Sequence, residues 1–314
     1  MSAPGHSHLA HDDRSALSTR AALASVSSAL VLLVLKSWAV MATGSMAMLG
    51  SLADTGLDLI ASLVTLFGVR VAAQRADSDH RFGHGKAEAL VALAQVFIIL
   101  GSAIAITVRS IDRLQHGAAT SNAELGIGVS LVAIALTLAL TLYQGRVVRS
   151  TGSVAIATDK LHYQSDMLLN GTVIVALVLD QFLHVRGADA AFGLVLAAWL
   201  AWGAYQSSGH ALSQLMDREW PDEERAAFLA AAAGYPDLGG LHDLRTRSSG
   251  THRFVQFHLW VPGEWTVREA HDRIDPIEEA LQERFPNTVI LIHLDPEGHT
   301  DRETMLPSHL TETS

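Results

Sequence analysis

The chain of 314 residues is 49% hydrophobic and only 17% charged, with a mean hydropathy of +0.25 and a formal net charge of −10. A soluble globular domain has about a quarter charged residues, so this composition favours a membrane protein over a soluble one. The absence of cysteine excludes disulfides and thiolate metal sites, and an acidic chain argues against nucleic-acid binding, which needs a basic surface.

The N-terminal two thirds of the chain contains six apolar segments, each long enough to cross a bilayer as a helix. A polar arm, residues 1–17, precedes them and lacks the apolar core of a secretory signal. We therefore predict a six-helix transmembrane domain over residues 18–210. The segments lie near residues 18–42, 46–71, 88–112, 123–147, 161–182 and 188–210.

Lysine and arginine are concentrated in the arm and in the connections between segments 2 and 3 and between segments 4 and 5. Cytoplasmic loops carry such an excess of basic residues. The pattern predicts that both termini are cytoplasmic, which agrees with an even number of spans.

The part after residue 210 has the pattern of an acidic soluble domain, with 19 acidic and 9 basic residues in 211–314. Helical and alternating apolar periodicities predict an α-β-β-α-β order within residues 211–298. Pro276 falls inside the second helix, where it removes one backbone donor. Residues 299–314 are polar and are predicted to be a disordered tail. The elements are expected at 221–234, 241–248, 252–261, 266–285 and 288–294.

Two pairs of ionisable residues lie at i, i+4 spacing inside apolar segments: Asp54 with Asp58, and His162 with Asp166. A charged group in the hydrocarbon layer is costly, so such residues suggest a functional site. The spacing puts each pair on one helix face. If the two faces meet, three carboxylates and an imidazole converge, a ligand set suited to a divalent transition metal. The pattern predicts a membrane metal-ion transporter.

Three carboxylates in a low-dielectric site repel one another unless a metal or protons neutralise them. Alternate occupation by metal and protons would provide exchange, and His162 is the member best placed to titrate near neutral pH. The alternative is that these residues form helix–helix hydrogen bonds that only stabilise the bundle.

Two further clusters could bind metal. Asp77, His80 and His84 lie in the loop between segments 2 and 3, where the alternative is a solvated polar loop. In the soluble domain five candidate residues fall on or next to the predicted strands and helices. The alternative for them is that they are surface residues that bind no metal. They are His242, His258, His271, His293 and Asp295.

The chain resembles the cation diffusion facilitator family over roughly residues 20 to 296. The resemblance implies a homodimeric, proton-coupled antiporter with six spans and a metallochaperone-like, ferredoxin-like cytoplasmic domain. It also implies that zinc is the usual substrate and that cadmium is often tolerated. The motifs that carry it lie at residues 54–58, 80–90, 161–166, 216–225, 242–250, 254–259 and 289–296.

The resemblance implies a role for each candidate residue. The tetrad Asp54, Asp58, His162 and Asp166 matches the transport site, and the loop cluster matches a second site. The five residues of the soluble domain match a binuclear site in which Asp295 bridges two ions. Lys86 and Asp217 match a salt bridge that locks the dimer where the two domains join.

From these observations the sequence predicts a Zn²⁺/H⁺ antiporter of the bacterial inner membrane that exports zinc by alternating access, with Fe²⁺, Cd²⁺ and Co²⁺ as further candidate substrates. Its partners are membrane lipid, a second copy of the chain and metal ions. One rival is a metal-gated channel or sensor. The other is an intramembrane metallohydrolase, an enzyme that would need an H-E-x-x-H motif, which the sequence lacks.

Overall fold

The computed structural model describes residues 6–43, 46–116, 124–183 and 188–298 of the chain. Residues 1–5 of the predicted arm and the predicted tail 299–314 lie outside these ranges. The chain divides into two compact units. The first consists of residues Ser15–Leu212, and the second combines the N-terminal residues through Arg14 with the residues from Ser213 onward.

The first unit consists of long helices at all six predicted positions. Each has 27 or more residues, which exceeds the length needed to span a bilayer. In the described part of the chain, the first four contain a window apolar enough to cross a membrane. They are α1 (His6–Thr43), α2 (Met46–Ala72), α3 (Ala87–His116), α4 (Glu124–Thr151), α5 (Val154–Leu183) and α6 (Ala188–Leu215).

Two of these helices begin earlier than the apolar segments predict. The first begins at His6 rather than near residue 18, and the fifth begins at Val154 rather than near residue 161. In α5 the added turns are buried, because Ala155, Ile156 and Asp159 have no exposed surface. Hydropathy placed the start of α5 too late, since its first turns contain polar residues that face the helix bundle.

The outer surface and the interior of the helix bundle differ in the size of their apolar side chains. Large apolar side chains such as Val34, Phe67 and Phe97 are more than two-thirds exposed and are suited to contact lipid. Small residues fill the interior, as in other membrane helix bundles. At Gly68 of α2 a Cβ atom would overlap Val91 of α3, so these two helices approach closely.

One buried carboxylate connects five helices. Asp159 of α5 accepts hydrogen bonds from Ser25 of α1 (2.7 Å), Thr65 of α2 (3.2 Å), Gln95 of α3 (3.1 Å) and Gln144 of α4 (2.8 Å). All five residues are 1% exposed or less. Each oxygen of the carboxylate has two donors, so the buried charge itself is fully hydrogen-bonded.

The second unit has the predicted α-β-β-α-β order. Its helix α8 begins with a capping box between Thr266 and Glu269 and continues through Pro276. A 3₁₀ turn, Pro236–Leu238, precedes the first strand and was not predicted. The elements are α7 (Asp222–Ala232), β1 (Leu241–Ser249), β2 (His252–Val261), α8 (Val267–Arg284) and β3 (Thr288–Pro296).

The strands form one sheet in the order β1-β2-β3, with β1 and β2 antiparallel and β2 and β3 parallel. The register places His242 opposite His258, and His258 opposite His293. Three histidines on three strands therefore lie side by side at one end of the sheet. Phe228 and Leu281 of the helices pack in one buried core with residues of the sheet.

Candidate metal centres

Three of the four predicted transmembrane ligands converge between α2 and α5. Asp58, His162 and Asp166 each offer a ligand atom, and these atoms lie within 4.8 Å of one another. The Nε2 atom of His162 lies 3.1 Å from Asp58 Oδ1 and 3.8 Å from Asp166 Oδ2. The i, i+4 spacing in α5 puts His162 and Asp166 on one face, and α2 supplies the third group.

The donor atoms of this cluster fit a cation. His162 is 3% exposed, and its Nδ1 atom is buried without a hydrogen-bond partner among the described residues. Asp166 Oδ2 is likewise buried without one. An unsatisfied buried carboxylate oxygen is costly, and a bound cation would remove that cost. Asn170, one turn further along α5, bonds the backbone carbonyl of Asp166 (2.7 Å) rather than its carboxylate.

Asp54, the fourth predicted ligand, faces elsewhere. Its side chain is 53% exposed, and its Oδ2 atom lies 3.7 Å from Nη1 of Arg109 on α3. Residues four apart on a helix differ by about 40° in direction, so a shared face does not guarantee a shared site. The structure therefore brings three of the four predicted residues together and pairs the fourth with an arginine side chain.

Sequence reasoning did not identify Lys36, which lies beside this cluster. It is 8% exposed on α1, and its Nζ atom donates hydrogen bonds to Thr55 Oγ1 (2.6 Å) and to the backbone oxygen of Ser51 (3.3 Å), both on α2. The sequence did contain a signal for it. An ionisable residue inside an apolar segment suggests a functional site, and this holds for a lysine as it does for the acids.

The loop between α2 and α3 brings together its three predicted ligands. Asp77 Oδ1 lies 3.3 Å from Nδ1 of His80, and Asp77 Oδ2 lies 3.4 Å from Nε2 of His84. The two imidazole rings are 4.4 Å apart. Gly83 has a φ of +79°, a left-handed conformation that favours glycine and lets the loop turn back. The backbone N–H of His80 is the main cause of the lowered pKa of Asp77.

Four of the five predicted residues in the soluble unit also meet. Asp295 directs Oδ2 toward His258 (2.8 Å) and His242 (3.4 Å), and directs Oδ1 toward His293 (3.4 Å). One carboxylate thus contacts imidazoles on all three strands, an arrangement in which its two oxygens could bind two neighbouring ions. Burial alone would raise the pKa of Asp295, but the hydrogen bond from His258 and the charge of the histidines outweigh it and lower the pKa.

Two further observations complete this cluster. His271, the fifth predicted residue, is 64% exposed on α8 and pairs with Asp275 of the next turn at 3.1 Å. Asp243, which sequence reasoning did not select, has a φ of +46° at a bulge in β1 and places Oδ2 3.7 Å from Nε2 of His258. A strand bulge cannot be read from the sequence pattern, so this acid had no prior signal.

The predicted Lys86–Asp217 salt bridge joins residues of different units and stays a prediction. Lys86 belongs to the first unit and Asp217 to the second. Within its own unit Asp217 lies 3.3 Å from Nη1 of Arg247.

Comparison with known proteins places the chain in a class. A family model described as the cation efflux transmembrane domain matches residues 22–216. A second, described as the cytoplasmic domain of cation efflux proteins, matches residues 220–297. The chain belongs to the cation efflux family: it is a membrane protein that exports divalent cations, and not an enzyme. This confirms the family that the sequence motifs predicted.

Individual members of the family are similar to the chain over most of its length. The chain is 43% identical over 276 residues to the cation-efflux pump FieF of Yersinia pestis (strain Pestoides F), which covers 88% of this chain and 92% of the relative. The same values hold for FieF of Yersinia pseudotuberculosis serotype O:3 (strain YPIII). A solved structure of CzrB, described as a zinc transporter and in its zinc form, is 42% identical over 27% of this chain and 99% of its own, with a TM-score of 0.24.

Proposed function

We propose that this protein is a homodimeric antiporter of the bacterial inner membrane that exports Zn²⁺ from the cytoplasm in exchange for protons. The observation that carries the proposal is the convergence of Asp58, His162 and Asp166 inside the membrane unit. Two carboxylates and one imidazole form a borderline ligand set, which suits Zn²⁺ better than the harder Mg²⁺ or Ca²⁺. The FieF relatives, named as cation-efflux pumps of Yersinia species, support the direction of transport and a bacterial origin.

The chemistry of the cluster supports exchange of metal for protons. Metal binding requires deprotonated carboxylates and a neutral imidazole nitrogen, so the ion and the protons compete for the same atoms. Asp54 would join as the fourth ligand after it leaves Arg109 and would complete a tetrahedral set. Alternating access would then expose the loaded site to the cytoplasm and to the outer side in turn.

The other two clusters have supporting roles in this proposal. Asp77, His80 and His84 are exposed or half-buried in a short loop, which suits a weak, exchangeable site at the cytoplasmic entrance. His242, His258, His293 and Asp295 would hold zinc as a structural or regulatory ligand that stabilises the dimer. The orientation proposed places both termini in the cytoplasm, with domain bounds of 1–17, 18–210, 211–298 and 299–314.

The test is flux in proteoliposomes that contain the purified chain. An imposed proton gradient should drive Zn²⁺ uptake that saturates with metal, and collapse of the gradient by an ionophore should stop accumulation against the metal gradient. A panel of Zn²⁺, Fe²⁺, Cd²⁺, Co²⁺ and Mn²⁺ would rank the substrates.

The same experiment separates the rivals. A metal-gated channel would conduct down the metal gradient whether or not a proton gradient is present, and a pure sensor would show no flux. Either result would contradict the antiporter proposal.

A further inference from the structure

The buried ammonium of Lys36 is fixed against the helix that carries two of the predicted ligands. Its acceptors Thr55 Oγ1 and Ser51 O both belong to α2, and Thr55 is 1% exposed and itself donates to Ser51 O at 3.1 Å. Thr55 follows Asp54 directly and precedes Asp58 by three residues. The ammonium is therefore held at the turn of α2 that presents the carboxylates, on the side where α1 packs.

This position lets the charge of Lys36 act on the Asp58–His162–Asp166 cluster. Its charge interacts with the carboxylates of Asp58, Asp166 and Asp54. In a buried site such interactions are screened much less than in water. When no metal is bound, the ammonium offsets part of the negative charge. When a dication is bound, the same ammonium repels it.

We propose that Lys36 is a tethered cation that weakens metal binding at the transport site and thereby speeds release of the ion. The inference rests on the proposed function of the Asp58–His162–Asp166 cluster as the transport site. Lys36 is not a ligand in this proposal. It acts as a positioning and affinity-setting residue through its fixed charge.

Loss of the Lys36 charge should raise the affinity for metal and lower the turnover. Without the ammonium a bound dication loses a repulsive neighbour, so the half-saturating concentration should fall. The same change holds the ion more firmly, so release and maximal rate should fall too. A residue needed only for packing would instead lower the maximal rate or the amount of folded protein, with no gain in affinity.

The experiment measures Zn²⁺ flux at varied concentration in proteoliposomes for the wild type and for Lys36→Met, Lys36→Arg and Lys160→Met. Methionine keeps most of the side-chain volume without the charge, and arginine keeps the charge. Lys160 is a matched control because it is a lysine of the same unit whose Nζ atom lies against Gly145 of α4. Lys36→Met should lower KM about tenfold, the change that corresponds to a 1.4 kcal/mol gain in binding, together with a lower maximal rate.

The controls decide among the outcomes. Lys36→Arg should stay near wild type, and Lys160→Met should leave KM unchanged. A raised or unchanged KM in Lys36→Met, in a protein that elutes as the wild-type oligomer, would overturn the inference. An equal fall of KM in Lys160→Met would also overturn it, since the effect would then come from net charge alone.

Asp166→Ala in the same series separates this inference from the proposed function. Loss of flux in Asp166→Ala with an unaltered Lys36→Met contradicts only the role of Lys36. Normal flux in Asp166→Ala contradicts the transport site itself.

Discussion

The carboxylate of Asp54 lies 3.7 Å from the guanidinium of Arg109, while Asp58, one helical turn later, contacts His162 at 3.1 Å. The two acids of α2 thus have different partners. If Asp54 is the fourth ligand, as proposed, Arg109 would compete with the metal for its carboxylate, and binding would cost this ion pair.

Arg109→Gln should lower the half-saturating Zn²⁺ concentration several-fold, because Asp54 no longer has to leave a cation in order to bind the metal. A change of that size corresponds to about 1 kcal/mol, which is within the range of a single ion pair. Concentration-dependent flux in proteoliposomes measures it. Arg109→Lys keeps the charge and should remain near wild type, and an unchanged KM in Arg109→Gln would show that the pair does not limit binding.

Asp166→Ala should abolish Zn²⁺ transport without unfolding the protein. It removes a ligand from a site with no spare donor, so affinity should fall by at least about 100-fold, more than outer-shell substitutions cost. Flux and size-exclusion elution should be measured together. Asn170→Ala is the matched control, because Asn170 bonds the backbone oxygen of Asp166 rather than its carboxylate, and it should keep most of the flux. Near-normal flux in Asp166→Ala would refute the assignment.

His162→Asp should relax selectivity for Zn²⁺ over Mn²⁺. An all-carboxylate site suits harder ions of higher coordination number, whereas imidazole suits zinc. The change also removes the cluster's only imidazole, so the pH profile of transport should move. Competitive flux at several pH values tests both. If selectivity and pH profile are both unchanged, His162 is neither the selectivity ligand nor the main proton carrier.

His242→Ala combined with His258→Ala should reduce zinc bound by the full chain and weaken the dimer, while flux persists. Binding is best measured in the Asp166→Ala background, where the transport site does not contribute. His271→Ala provides the comparison, since His271 pairs with Asp275 and lies apart from the three strand histidines. The interpretation fails if the double variant binds as much zinc as its parent.

Lys86→Ala and Asp217→Ala should show coupled effects on dimer stability. Opposite charges in contact give an interaction energy in a double-mutant cycle, whereas separated residues give additive effects. Arg247→Ala belongs in the same set, because Arg247 lies 3.3 Å from Asp217 and competes for it. Additivity of the Lys86 and Asp217 variants would argue against a direct contact.

The helical and strand periodicities predicted most of the fold. Alternation in residues 252–261 predicted a strand that the structure has at His252–Val261, and the i, i+4 spacing of His162 and Asp166 predicted that both lie on one side of α5, where they meet Asp58. These features depend on local backbone geometry alone. Such features can therefore be predicted from the sequence alone.

The remaining features depend on how helices rotate against one another. Spacing could not show that Asp54 turns toward Arg109, or that His271 is mostly exposed and pairs with Asp275 of its own helix. Lys36 and Asp159 were missed for a related reason. Lys36 stands among apolar residues of α1, and Asp159 precedes the predicted fifth segment; the partners of both are on other helices, far away in the sequence.

The carboxylate of Asp159 also has a consequence for how the protein is made. Its four donors belong to helices that leave the ribosome first, and the acceptor they share arrives only with the fifth. The earlier helices can insert into the bilayer one by one, but their interior polar groups lack this common acceptor until α5 is in place. Chain order thus makes α5, which also carries His162 and Asp166, the helix that completes this hydrogen-bond network among the first five helices.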